Sequence, residues 1–134
     1  GLPPALLNVE VTENLFLTDD ADTLALLDWL RDQGARIYID DFGTGYSSLS
    51  YLGKLPVDGL KIDRSFVMRM ADDPQAAAVV GAIVAIGTKL GLDVVAEGVE
   101  TEPQRRMLAE MGADKLQGFL FAKPGTADTL APWR

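Results

Sequence analysis

The 134-residue chain has no cysteine and no histidine. The first absence excludes disulfides, thiolate metal sites and cysteine nucleophiles. The second excludes a Ser-His-Asp triad, a His-ligated zinc and imidazole acid–base chemistry. Any metal ion must therefore sit among oxygen ligands, which points to Mg²⁺, Mn²⁺ or Ca²⁺. Basic residues are scarce too, with 12 Lys and Arg against 20 Asp and Glu, a formal net charge of −8. No basic patch interrupts that field, so DNA and other nucleic-acid backbones are not expected partners. An anionic substrate would need cations to offset the charge. Long apolar runs are missing as well. The longest, Ala76 to Ile86, contains Gly81 and is too short to cross a bilayer. No signal peptide is visible, and the opening Gly-Leu-Pro-Pro suggests a piece of a longer polypeptide. What is present, 48% hydrophobic and 24% charged residues, is the composition of one globular domain with a real core.

The chain is organised around Ile37 to Ser50, I-Y-I-D-D-F-G-T-G-Y-S-S-L-S. A β-branched and aromatic run ends in two adjacent carboxylates, Asp40 and Asp41. The glycine-bracketed turn Gly43-Thr44-Gly45 and a serine pair suited to opening a helix follow. This is the pattern of a βα junction. Neighbouring carboxylates at one strand end repel, which favours protonation or a bound cation.

Taken in order, Leu6 to Thr12 alternates as a strand, with Glu10 and Thr12 on one face and Glu13 at its end. Asp20 to Gln33 carries leucines at helical spacing and stops at Gly34. Arg36 to Asp41 is the second strand, and Ser47 to Leu55 a short helix stopped by Pro56. Gly59 to Asp63 is a brief strand with Lys61 and Asp63 on one face, followed by a helical turn from Arg64 to Met70. Asp73-Pro74 opens a helix to about Leu90, apolar almost all round and so expected to be largely buried. Asp93 to Glu97 is a fourth strand. Thr101 to Gln104 is a capping box for a helix ending near Met111, with Gly112 beyond. Lys115 to Phe121 is the fifth strand and carries Gln117; a polar tail follows.

Strands alternating with helices imply parallel pairing and right-handed crossovers. Glu10, Asp40, Asp41, Lys61, Glu97 and Gln117 all fall toward strand C-termini, the rim where ligands sit in parallel α/β folds. Each has an ordinary reading too: Lys61 as an ion-pair partner, Glu97 as a carboxylate favoured by a helix dipole, Gln117 as a satisfied core amide. Two architectures fit. A flavodoxin-like receiver gathers an acidic pair, a further Asp and a Lys, but its acidic pair closes the first strand and its Lys follows the fifth. Here they close the second and third. The other architecture is part of a (βα)₈ TIM-like barrel.

The stretches V-E-V-T-E (Val9 to Glu13), D-D-F-G-T-G-Y-S-S-L (Asp40 to Leu49) and L-K-I-D-R-S-F-V (Leu60 to Val67) resemble the EAL domain of cyclic-di-GMP phosphodiesterases. V-V-A-E-G-V-E-T (Val94 to Thr101) and Q-G-F-L-F-A-K-P (Gln117 to Pro124) extend the resemblance along nearly the whole chain. The resemblance implies a bacterial, cytoplasmic barrel that hydrolyses cyclic di-GMP to linear pGpG with two divalent cations, Mg²⁺ or Mn²⁺. Residues 1–134 would be the C-terminal portion of a single EAL domain, its last five βα units. The E-A-L strand and an Asn of the first metal site would precede Gly1. By the same resemblance Glu10 and Asp40 bind one metal, Asp41 binds or bridges to the second, and Glu97 completes that site or assists proton transfer. Lys61 holds the attacking water and Gln117 hydrogen-bonds in the same pocket. Glu13 anchors the loop Phe42, Gly43, Thr44, Gly45 and Tyr46, which is linked to dimerisation. Asp63 and Glu100 lie near the substrate.

The resemblance also admits a non-catalytic reading, a cyclic-di-GMP-binding or interaction module. In the parent, an upstream GGDEF or sensory domain and a membrane anchor would lie outside this chain. As it stands, with two open sheet edges and an uncovered apolar inner face, the chain is expected either to self-associate or to be the ordered part of a longer polypeptide, and to be inactive alone.

Overall fold

The computed structural model describes residues 3–18, 20–45, 49–126 and 128–129. Five parallel strands lie in the order of the sequence: β1 Asn8–Thr12, β2 Arg36–Phe42, β3 Gly59–Ile62, β4 Asp93–Glu97 and β5 Lys115–Gln117. The connections hold α1 Ala21–Asp32, α2 Leu49–Leu52, α3 Arg64–Arg69, α4 Pro74–Leu90 and α5 Glu102–Met111. Consecutive strands pair throughout, the arrangement of successive βα units in a barrel wall.

Local signals set the helix ends. Asp20, Asp73 and Thr101 each cap the first turn of a helix with a side-chain oxygen, and Thr101 with Gln104 forms the expected capping box. Gly91 and Gly112 end α4 and α5 in the left-handed conformation. Alternation then divides each strand between two surroundings. Ile37, Ile39, Leu60, Ile62, Val94 and Ala96 pack against Val67, Val80, Ile83, Val84 and Leu108 of the helices, every one of them buried.

The other face differs from the sequence expectation. It is not an uncovered apolar surface: Asn8, Glu10, Arg36, Tyr38, Asp40, Lys61, Asp93, Glu97, Lys115 and Gln117 occupy it. These residues share the parity opposite to the core set, and several line one cleft. Most apolar residues of these strands went to the helix side, leaving the polar ones opposite, with Val95 and the Tyr38 ring among them.

Other boundaries move. The first strand starts at Asn8, because Pro4–Leu6 forms a 3₁₀ turn in which proline fixes φ. α4 is buried along one stripe only, at Ala76, Val80, Ile83, Val84 and Gly87, while Val79 and Leu90 are exposed. β5 ends at Gln117 rather than Phe121. A Cβ at Gly118 would meet the Val99 backbone at 2.1 Å, and Leu120 N–H donates to the Val99 carbonyl, so the chain turns off the sheet there. The second helix shrinks to Leu49–Leu52; Ser47 and Ser48, expected to open it, lie outside the described residues, as does Tyr46.

Candidate active site

The site begins with an irregularity in β2. Ile39 pairs with Leu60 but Phe42 pairs with Ile62, so β2 has one residue more than β3 over this interval. That is a β-bulge at Asp40–Asp41. Strict alternation would send Asp41 toward the helices and Phe42 into the cleft. The extra residue returns Phe42 to the core, where it is 4% exposed, and leaves Asp41 exposed. Asp41 has φ 54°, a left-handed conformation unusual for a residue other than glycine. Asp40 Oδ1 accepts from the Asp41 N–H at 2.9 Å. Thr44 closes the turn by donating from its N–H and its hydroxyl to the Asp41 carbonyl. Gly43, with φ 95°, completes it, and a Cβ there would lie 3.1 Å from Ile83.

Asp40 meets carboxylates from two other strands. Oxygens of Glu10, Asp40 and Glu97 lie within 4.8 Å of one another, close enough to ligate one cation. Lys61 stands among them. Its ammonium is 2.5 Å from Glu10 Oε1 and 2.5 Å from Glu97 Oε1, and its side chain is 7% exposed. Burial disfavours its charge, yet the bonds to Glu10 and Glu97 prevail and hold the Lys61 pKa above its ordinary value. Glu97 is pushed up, first by burial and then by Asp40 and Glu10, with Lys61 working against both. Three carboxylates and one ammonium carry a formal charge of −2, which a divalent cation would neutralise. The all-oxygen donor set fits Mg²⁺ or Mn²⁺.

Asp41 stands outside that group and turns to Asp63. Desolvation first, then the hydrogen bond with Asp63 and the charge of Asp40, raise the Asp41 pKa. Asp63 moves the other way: desolvation opposes its charge, but the Ser65 hydroxyl and N–H and the Asp41 hydrogen bond lower its pKa. Of the two carboxyls, Asp41 is therefore the more readily protonated. Asp63 also caps α3 through the Ser65 N–H at 2.8 Å.

Gln117 lines the cleft with Glu10 and Lys61, a space of about 220 Å³. Glu100 is not in the cluster; it pairs with Arg64 at 2.9 Å. Glu13 lies beneath the loop, both carboxylate oxygens withdrawn from solvent without a hydrogen-bond partner among the described residues. A Cβ at Gly45 would stand 3.4 Å from its Oε2. Sequence reasoning missed Arg64, whose stem lies across Gly98, and the layer of Arg36, Tyr38, Asp93 and Lys115 below Lys61. The signal for that layer was parity: Tyr38, Asp93 and Lys115 alternate with Asp40, Glu97 and Gln117 along their own strands.

Comparison with known proteins gives the same picture. The bifunctional diguanylate cyclase/cyclic di-GMP phosphodiesterase MucR of Pseudomonas aeruginosa is 50% identical over 130 residues, which are 97% of this chain and 19% of MucR. The solved MucR phosphodiesterase in complex with c-di-GMP superposes with TM-score 0.90 over 96% of this chain and 52% of that one. The EAL domain of Mycobacterium smegmatis DcpA is 43% identical with TM-score 0.91, covering 99% of this chain and 59% of that chain. The manganese/cy-diGMP complex of Klebsiella pneumoniae BlrP1 is 39% identical with TM-score 0.83, covering 92% and 32%. The chain thus spans about a fifth of the curated MucR sequence and half of its solved phosphodiesterase. The family model described as EAL domain matches residues 1–124. The chain belongs to the EAL domain family.

Proposed function

We propose that residues 1–134 are the C-terminal portion of one EAL domain, and that the complete domain hydrolyses cyclic di-GMP to linear pGpG. The observation that carries this reading is Lys61 held between Glu10 and Glu97 beside Asp40. An ammonium ringed by carboxylates stays charged, which suits orienting a water rather than accepting its proton. Glu10, Asp40 and Glu97 would hold one Mg²⁺ or Mn²⁺, and Asp41 with Asp63 would contribute to a second. Bound divalent cations supply Lewis acidity and offset the charge of the phosphodiester and its leaving alkoxide. Lys61 orients the water toward phosphorus. Glu97, its pKa raised by burial, would alternatively be the carboxyl that takes up or returns a proton. Gln117 hydrogen-bonds substrate or water from the cleft wall.

Glu13, beside Gly45, would support the loop bearing Asp41, and Glu100, paired with Arg64, would lie near the substrate. A bacterial cytoplasmic setting and a homodimer go with this reading, as does an upstream GGDEF or sensory domain; MucR, named as bifunctional, supports the last. The 134 residues alone are proposed to have negligible activity. The test is Asp40→Asn in a complete EAL domain carrying these residues. It removes a ligand charge at nearly constant volume, so hydrolysis should fall at least about 100-fold with the fold retained. Wild-type turnover at limiting Mn²⁺ would discard the assignment, and retained nucleotide binding by an inactive wild type would favour a sensing module.

A further inference from the structure

Below Lys61 lies a second polar layer that the proposed reaction does not use. Asp93 Oδ2 accepts from Lys115 Nζ at 2.7 Å, from Tyr38 Oη at 3.0 Å and from Arg36 Nη1 at 3.3 Å. Lys115 also donates to Tyr38 Oη at 3.0 Å, and its ammonium lies 5.4 Å from the Tyr38 ring centroid. The layer ties β2, β4 and β5 together, although β2 does not neighbour the other two. Tyr38 reaches across because Gly59 leaves the way open: a Cβ there would stand 2.5 Å from the Tyr38 ring.

Each strand in this layer carries a residue of the upper site further along the same face. Tyr38 precedes Asp40 by two positions, Lys115 precedes Gln117 by two, and Asp93 precedes Glu97 by four. β5 depends on the tie most. It is three residues long, pairs with β4 over those three residues, and turns off the sheet directly after Gln117. Backbone hydrogen bonds fix such a strand in the sheet plane but restrain rotation about its own axis weakly. Its side chains must supply that restraint, Leu116 on the core side and Lys115 on the cleft side.

We propose that Lys115, clamped by Tyr38 and Asp93, is a positioning residue that sets the roll of β5 and so aims Gln117 into the cleft beside Glu97. This rests on the reading of the cleft as a phosphodiesterase site. The test is a double-mutant cycle of Lys115→Met and Gln117→Ala in a complete EAL domain carrying these residues, with cyclic di-GMP as substrate. Lys115→Met should lower kcat about 10-fold with KM within about twofold, the signature of a misplaced group. In the Gln117→Ala background the same substitution should cost less than about twofold, since there is no longer an amide to aim. Lys115→Arg, still able to donate to Asp93, should recover most of the rate.

Equal losses in both backgrounds would reduce Lys115 to a general structural role and overturn the proposal, as would no loss in either. If Lys115→Met does not fold, Tyr38→Phe keeps the ring over Gly59, removes the hydroxyl, and is judged by the same comparison. The two readings fail separately. Wild-type rates for both Asp40→Asn and Gln117→Ala would discard the active site itself. An inactive Asp40→Asn beside a wild-type Lys115→Met would discard only the positioning role.

Discussion

At the scale of single residues, the cleft is governed by charge balance. Lys61 is the cation among Glu10, Asp40 and Glu97. Without added metal, Lys61→Met should destabilise the chain by about 2 kcal/mol, below the usual cost of breaking a buried pair because Glu10 is half exposed. Saturating Mn²⁺ should restore most of it by binding the folded carboxylates. Urea unfolding in chelator and in Mn²⁺ measures both; the same loss in each would mean that Lys61 does not compensate the cluster. Asp93 behaves differently. Its bond to Lys115 first, with Tyr38 and Arg36 adding to it against desolvation, holds its pKa below the ordinary value. A lowered folded-state pKa gives stability that is complete above the unfolded value, about 3.9, and vanishes as pH falls through the folded value. Asp93→Asn should therefore destabilise at pH 7, with the difference from wild type closing below about pH 4. A pH-independent difference would assign the effect to packing.

At the scale of elements, the site depends on where regular structure breaks. Alternation already places Asp40 on the cleft side; the β-bulge frees Asp41 from the core while the core keeps Phe42. The Asp-Asp-Phe order shows a break in alternation, but the sequence does not say which residue is the extra one. That is decided by Phe42 joining the buried core that includes Ile83 and Val67. Gly87 in α4 gives a second instance. Alanine is normally favoured over glycine inside a helix by up to about 1 kcal/mol. Here a Cβ would stand 2.3 Å from Val94 Cγ2, because the helix packs directly on β4. Gly87→Ala should thus destabilise, by about 1–2 kcal/mol after the propensity gain is subtracted from the overpacking. A higher urea midpoint for the variant would show that the helix can lift off the strand at little cost.

At the scale of the whole molecule, β1 and β5 are the open edges of the described sheet. Leu6, Leu7, Trp29, Phe119 and Phe121 are exposed near them, whereas the inner face is polar. Association should therefore run through these apolar margins and leave the carboxylate cleft accessible. Light scattering of the 14.4 kDa chain should return a larger mass, and Leu6→Lys with Leu7→Lys should reduce it. A monodisperse monomer would discard the edge argument.

The sequence alone determined the helix ends, because capping and left-handed glycine are local: Asp73-Pro74, the Thr101–Gln104 box, Gly91 and Gly112 each act within a turn. It also determined parallel pairing and the faces of Glu10 and Lys61, since βα alternation and period-two patterning are readable from neighbours, while the strand order came with the family resemblance. It could not supply contacts across strands. That Lys61 sits between Glu10 and Glu97, that Asp41 turns to Asp63 and that Tyr38 crosses Gly59 to reach Lys115 are matters of three-dimensional approach between residues as many as 77 positions apart. Those distances depend on sheet stagger, one bulge and the space left by one glycine, so only the tertiary structure decided them.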